Sequence, residues 1–306
     1  MRIVIATAEP RGAYHLAPLA EALKAGDASY VHLVPYPEPV QGGPAVDVAS
    51  QLSVIDSGDR VGVTGGTFSA WTEIVARYSV AQGKPVLFSE LAYVGNSSPV
   101  SPRVPVDLIT ALSADGAASL SHYLGALSVI VTGTPALDGL PVWEPTHKRA
   151  LLLSTSDMML RDPELSLLTT GHALRERGWE VRVRTHPRED REPWEGFEIV
   201  EGETQAESAA TAQIVIGYPG SAHVLAAAVG VPVIALSPTA ELAAVFTERQ
   251  AAAMSAHARS VSDVLDLVDT ATPPDSALVE AVVGPVGGAS ARIVKLWSGP
   301  LSDTAH

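Results

Sequence analysis

The 306-residue chain contains no cysteine, which removes disulfide frameworks, thiolate nucleophiles, thiolate-held zinc and iron–sulfur clusters together. Positive charge is scarce as well: 20 Lys and Arg stand against 34 Asp and Glu, for a net charge of −14. Gripping a nucleic-acid backbone takes clustered cations that displace counterions. The basic clusters here are few and short, such as Arg182-Val-Arg184 and Arg188 to Arg191, so nucleic acid is not an expected partner. Long apolar runs are missing too: no stretch approaches about 18 uninterrupted apolar residues. The opening MRIVIATAEP lacks the apolar run and cleavage site of a signal peptide. A soluble, cytoplasmic protein without a transmembrane segment is expected. H-E-x-x-H, paired-histidine metal spacing, a G-x-S-x-G elbow and a Walker A loop are all absent, so neither a metal nor a bound cofactor is expected. What is present is apolar residues, 46% of the chain, with 25 Gly and 23 Pro that mark tight loops. That fraction excludes disorder for the bulk of the chain, and the length suggests two domains.

Short β-branched runs alternate with alanine- and leucine-rich stretches, the pattern of a parallel sheet flanked by helices. Strands are expected at Arg2–Thr7, Tyr30–Pro35, Arg60–Thr64, Pro85–Ser89, Asp107–Leu112 and Ser128–Thr132, with helices near Leu16–Lys24 and Ser69–Gln82. Leu137 to Lys148, with two prolines and a glycine, reads as a linker. The pattern then restarts with strands at Arg149–Leu153, Glu180–Thr185, Ile214–Gly217 and Pro232–Leu236, and with helices at Pro163–Arg177 and Ser221–Val229. The expected organisation is an α/β protein of two doubly wound domains facing a central cleft: residues 1–141, residues 142–288, and a C-terminal helix and tail at 289–306. Ligands of such sheets sit beyond the carboxyl ends of the strands.

Those ends carry the candidate residues. Gly12 permits close backbone approach in the first loop, and His15 falls at the start of the first helix. A neutral imidazole there is suited to taking a proton from a hydroxyl, although a histidine that only caps or packs has the same spacing. Gly65, Gly66 and Thr67 form a strand-to-helix turn whose amides can hold a polar group, or a turn that needs glycine for its dihedrals. Glu90 ends an apolar strand, placed either for substrate hydroxyls or to cap a neighbouring helix. In the second half, Ser154 and Thr155 follow one strand and His186 another. Gly220, Ser221 and His223 open a helix whose dipole and amides suit a diphosphate. For each histidine singly, a structural role is the competing reading. Glu241, after the last of these strands, completes the nucleotide-binding set.

Together the loops resemble the GT-B superfamily of nucleotide-sugar glycosyltransferases and their relatives, the non-hydrolysing UDP-GlcNAc 2-epimerases. Gly12 to Leu19 (GAYHLAPL) looks like the family's G-H-x-x-P loop. VTGGTFS at Val63 to Ser69, followed by GKPVLFSE at Gly83 to Glu90, is similar to the acceptor-domain segment of the lipid II N-acetylglucosaminyltransferase. Val131 to Asp138 (VTGTPALD) looks like the segment that closes the first domain, and Ala212 to Pro238 resembles the donor-domain stretch. There are departures. Leu225 stands where the family has its ribose-binding glutamate, Gln213 replaces an aspartate, and Gly66 replaces the aspartate of the epimerases' G-D-T. Ser154 to Asp157 occupies the loop that carries their second-domain histidine. Arg184-Thr-His186-Pro187 resembles the H-P motif of sialyltransferases and CDP-glycerol glycerophosphotransferases, in which histidine contacts the cytidine nucleotide.

The resemblance implies a GT-B fold and a metal-independent transferase with a nucleotide-sugar co-substrate and an unidentified hydroxyl acceptor. His15, or Glu90 in its place, would be the base. Gly12, Gly65, Gly66 and Thr67 would bind the acceptor, and Ser154, Thr155, His186, Gly220, Ser221, His223 and Glu241 the donor. The alternatives are a UDP-GlcNAc 2-epimerase-like enzyme and an inactive relative that serves as a scaffold. A second copy of the chain, in a homodimer, is the remaining expected partner.

Overall fold

The computed structural model describes residues 1–7, 12–26, 28–33, 48–65, 70–90, 106–124, 129–155, 161–186, 189 and 191–300. The chain divides into two compact units, residues 1–138 together with 283–306, and residues 139–282.

The first unit contains β1 (Arg2–Thr7), α1 (Gly12–Ala25), β2 (Ser29–Leu33), α2 (Val48–Ile55), β3 (Arg60–Gly65), α3 (Ala70–Ala81), β4 (Val86–Glu90), β5 (Leu108–Ala111), α4 (Ala114–Leu124) and β6 (Val129–Val131). Its strands form a parallel sheet in the order β2-β1-β3-β4-β5-β6. Side chains alternate between faces along a strand. Val4, Ala6, Val61, Val63, Val86 and Phe88 therefore pack in one core layer, while Ile3, Ile5 and Leu87 pack in another. A sheet covered on both faces needs strands that are apolar throughout, which is why RIVIAT and VLFSE read as continuous hydrophobic runs.

The second unit contains β7 (Arg149–Leu153), α5 (Ser166–Glu176), β8 (Glu180–Arg184), β9 (Glu198–Ile199), α6 (Gln205–Ala210), β10 (Ile214–Gly217), α7 (Ser221–Val229), β11 (Val233–Leu236), α8 (Ala240–Ala243), α9 (Glu248–Ala252), β12 (Ala256–Ala258) and α10 (Val261–Leu267). Its sheet is also parallel, in the order β12-β11-β10-β7-β8-β9. The chain leaves this unit through α11 (Ser276–Val283) and ends in α12 (Ala289–Ser298).

α12 belongs to the first unit. Trp297 and Ile293 are fully buried beside Ile3, Ile5, Leu19 and Leu23, and a Cβ on Gly62 of β3 would collide with the Trp297 ring. Arg60 donates from Nη1 to the carbonyls of Trp297 and Gly299, both at 2.7 Å. The Asp138 carboxylate accepts the first N–H groups of α12, from Ala289 at 2.7 Å and Ser290 at 2.8 Å.

Three details differ from the reading of the sequence. α1 begins at Gly12, not near Leu16, and takes Pro18 into its second turn, where the ring removes a helical hydrogen bond. The two-residue β9 and three-residue β12 are too short to show a period. The segment before β7 is not a bare linker. Trp143 donates to the Ala212 carbonyl at 2.8 Å, and the N–H groups of Glu144 and Thr146 donate to Ala210 and Thr211 at 2.9 Å.

Candidate functional site

Counted from β7, the second sheet runs 3-2-1-4-5-6. Its order reverses between β7 and β10, and an open α/β sheet offers a crevice at the carboxyl ends of such a pair. Ser154 and Thr155 follow β7 there, and Tyr218 to Ser221 follow β10. Gly217 ends β10 so close to β7 that a Cβ would run into the Leu153 carbonyl. Gly220 is the N-cap of α7, and it is extended and offers no side-chain cap. The first amides of α7 lie at the positive end of the helix without a side-chain cap; the His223 N–H donates to the Gly220 carbonyl at 3.1 Å, and Ser221 is exposed beside them.

Two hydrogen-bond networks, one buried and one half-buried, hold these loops, and neither stood out in the sequence. Asp162 is 1% exposed and Tyr218 2%. The Tyr218 hydroxyl donates to Asp162 Oδ2 at 2.6 Å, and the same oxygen accepts the Ser166 N–H at 2.7 Å. Ser166 Oγ donates to Oδ1 at 3.2 Å. Burial first, and then the Asp162 carboxylate, push the Tyr218 phenol far above its usual pKa. The loop after β10 is thereby tied to the start of α5. The second network centres on Glu189. Its Oε1 accepts Ser154 Oγ at 2.5 Å and Trp194 Nε1 at 3.0 Å, and its Oε2 accepts the His186 N–H at 3.0 Å. The only sequence signal for it was an acidic residue three positions beyond His186.

Ser154, Thr155, His186, Gly220 and Ser221 therefore share the carboxyl edge of one sheet. Glu241 is exposed in the short α8 after β11, behind a Thr239 N-cap. His223 is different, because its imidazole is 1% exposed, in edge contact with Phe246 at 6.1 Å. Neither ring nitrogen makes a hydrogen bond among the described residues. Burial pushes the ring down to about 4; the Gly217 carbonyl opposes the shift without reaching hydrogen-bond geometry, and His257 adds to it. The expected ligand-facing histidine is thus a neutral ring sealed inside the second unit, because the third residue of α7 turns inward under the β10–α7 loop.

In the first unit the order reverses between β1 and β3. His15 lies in the first turn of α1, Gly12 begins that helix and Gly65 ends β3; the His15 side chain, Gly66 and Thr67 lie outside the described residues. Glu90, 3% exposed, ends β4 with its carboxylate against the first turn of α4, where a Cβ on Gly116 would collide with Oε2. The Gly116 N–H itself donates to Ser113 Oγ at 3.2 Å, while a carboxylate beside a helix N-terminus is favoured by the dipole. Beside it runs a buried row of hydroxyls, Thr64, Ser89 and Thr110, in register on β3, β4 and β5. Ser89 Oγ and Thr110 Oγ1 are 2.6 Å apart, while Thr64 Oγ1 makes no hydrogen bond among the described residues. The signal for this row was a hydroxyl residue near the end of each apolar strand.

Other positions in the resemblance carry structure. Asp138 caps α12, Gln213 Oε1 accepts the Lys148 N–H at 2.6 Å, and Leu225 is buried in α7. Among the described residues no three His, Asp or Glu side chains are grouped to hold a metal ion, and no helix is long and apolar enough to cross a membrane.

No protein-family model matches the sequence, and no curated protein matches it in sequence. In structure the chain is similar to a UDP-GlcNAc 2-epimerase from Neisseria meningitidis bound to UDP-GlcNAc, with 14% identity, a TM-score of 0.64 and coverage of 98% of this chain and 100% of that one. A UDP-GlcNAc 2-epimerase from Methanocaldococcus jannaschii matches at 13% identity and a TM-score of 0.67, over 98% and 100%. The spinosyn rhamnosyltransferase SpnG complexed with thymidine diphosphate matches at 14% and 0.60, over 97% and 100%. The chain has the GT-B fold.

Proposed function

We propose that the protein is a metal-independent glycosyltransferase that moves a sugar or related group from a nucleotide-activated donor to an acceptor hydroxyl. The observation that carries this reading is the uncapped N-terminus of α7 at the strand-order reversal of the second sheet. There the helix dipole and the Ser221 and Ala222 amides, which no side chain caps, suit a diphosphate without a metal. Gly220 and Ser221 would hold the phosphates, with Ser154, Thr155, His186 and Glu241 around the rest of the nucleotide and His223 supporting the loop from behind. Gly12, Gly65, Gly66 and Thr67 are the acceptor-binding candidates. His15 is the proposed base and Glu90 the alternative, while the α7 terminus stabilises the departing phosphate.

Calorimetric titration with UDP, CDP, GDP, dTDP and CMP tests the donor site. At least one nucleoside diphosphate should bind, and binding of none rejects the assignment. With the donor known, His15→Ala should lower turnover by about a hundredfold or more, and full turnover would remove His15 from the base role. The likeness to UDP-GlcNAc 2-epimerases at TM-scores of 0.64 and 0.67 favours a second reading, a 2-epimerase. That enzyme would convert UDP-GlcNAc with no acceptor present, whereas a transferase would require one.

A further inference from the structure

We propose that the first turn of α7 is an acid-operated latch: it closes over the neutral His223 ring and opens locally, with the rest of the second unit still folded, when that ring takes up a proton. His223 is the third residue of α7, and neither nitrogen of its buried imidazole is hydrogen-bonded among the described residues. A buried polar group ordinarily has a partner, and this ring has none to receive the second N–H that protonation adds. It also sits at the positive end of a helix, which disfavours a cation. α7 packs against α6, β10 and β11, and the two strands, IVIG and VIAL, carry no ionisable side chain. Phe246, edge-on to the ring, stands between α8 and α9. The ionisable groups of the surrounding elements are Glu207 of α6, Glu241 of α8, Glu248 and Arg249 of α9, and His257 of β12. None of the carboxylates bears on the ring; the charge that does is His257, a base that opposes a further proton.

The chain on either side of this turn is held firmly, and the turn itself is not. Before it, Gly217 ends β10 against the Leu153 carbonyl. Tyr218 donates to Asp162 at 2.6 Å and accepts the Leu167 N–H at 3.3 Å. After it, Val224 to Ala227 are buried in the body of α7. Between them Gly220 supplies no side-chain cap, and its surroundings are open enough that a Cβ would meet nothing closer than 3.8 Å. The neutral ring is thus the plug that seats the turn. An unpaired buried charge is costly, and turning out residues 220 to 223 relieves it without unfolding the unit. The ring titrates at about 4 when closed and near 6.5 in an ordinary setting. The open form therefore binds the proton more tightly, and its share rises as pH falls through that window, by about twentyfold between pH 7 and pH 5.

Amide hydrogen exchange on the intact chain at pH 7 and pH 5, corrected for the intrinsic rate, reads the latch directly. Protection of residues 220 to 224 should fall about twentyfold at the lower pH, while β7, β10 and β11 keep theirs. His223→Leu should abolish the fall. Histidine NMR of the wild-type protein supplies a second measurement that needs no variant: the His223 ring should remain neutral at pH 6. An equal loss of protection across β7 and β10 would mean global unfolding and overturn the latch. So would a fall that persists in His223→Leu, which would assign it to another group such as Asp162 behind Tyr218. A loss confined to residues 240 to 252 would place the opening at the Phe246 wall and reject it as well, as would unchanged protection or a ring that titrates at its ordinary value. None of these measurements involves a nucleotide, so the donor-site reading stands or falls separately.

Discussion

A buried imidazole with no hydrogen-bonding partner among the described residues makes the second unit acid-sensitive. His223 titrates near 4 in the folded protein and near 6.5 in an ordinary setting, with burial as the main cause. Between those values the unfolded chain takes up a proton that the folded chain refuses. The stabilisation is therefore complete above about 6.5 and is lost as pH falls toward 4; at 1.36 kcal/mol per decade the full gap is worth ~3 kcal/mol. Urea melts at pH 7.5 and 4.5 should show this loss, and His223→Leu should remove most of it while costing little at neutral pH. The Tyr218–Asp162 pair makes a second prediction. Tyr218→Phe removes two buried hydrogen bonds, the one donated to Asp162 at 2.6 Å and the one accepted from the Leu167 N–H at 3.3 Å, and should cost ~1–3 kcal/mol. Asp162→Ala strands the phenol, the Ser166 hydroxyl and the Ser166 N–H together and should cost ~3 kcal/mol or more. The double variant should fall short of the sum, because the two changes break one network. Ser154, Gly220 and Ser221 were recognisable in the sequence because strand-to-helix loops have characteristic spacing. Asp162 and Glu189 were not, since a carboxylate that binds across a fold has no local pattern.

At the scale of elements, the close approach of β10 to β7 shapes the crevice that carries the proposed donor site. Gly217 is the residue that permits it, with its Cα facing the Leu153 carbonyl across the strand pair. Gly217→Ala must push the strands apart at the strand-order reversal and should destabilise the protein by ~2–4 kcal/mol. Denaturant titration would show the loss, and the nucleotide affinity proposed for the Tyr218 to Ser221 loop should fall with it. Strands were legible wherever both faces of the sheet are covered, because that demands unbroken apolar runs. The start of α1 was not legible in the sequence, which suggests a beginning near Leu16. The helix instead begins at Gly12 and accepts Pro18 further along, so His15 belongs to the helix itself.

At the scale of the whole molecule, the chain's last helix completes the unit formed by its beginning. Trp297 is fully buried against Gly62, and deleting such a side chain typically costs ~3–5 kcal/mol. Trp297→Ala, or removal of residues 284–306, should therefore lower the calorimetric transition of the first unit and leave that of the second nearly unmoved. A shift of both transitions would contradict this division. Much of the architecture was determined by the sequence alone. The alternation of apolar strands with alanine-rich helices specifies two parallel sheets, because only strands buried on both faces have that composition, and glycine-marked loops specify which ends of the strands can hold a ligand. Other features were decided only in three dimensions: that His223 faces inward, that Glu90 lies against α4, that Glu189 holds Ser154, and that residues 289–298 pack beside β1 and α1. Each depends on contacts between distant parts of the chain, which hydrophobic period and loop chemistry do not encode.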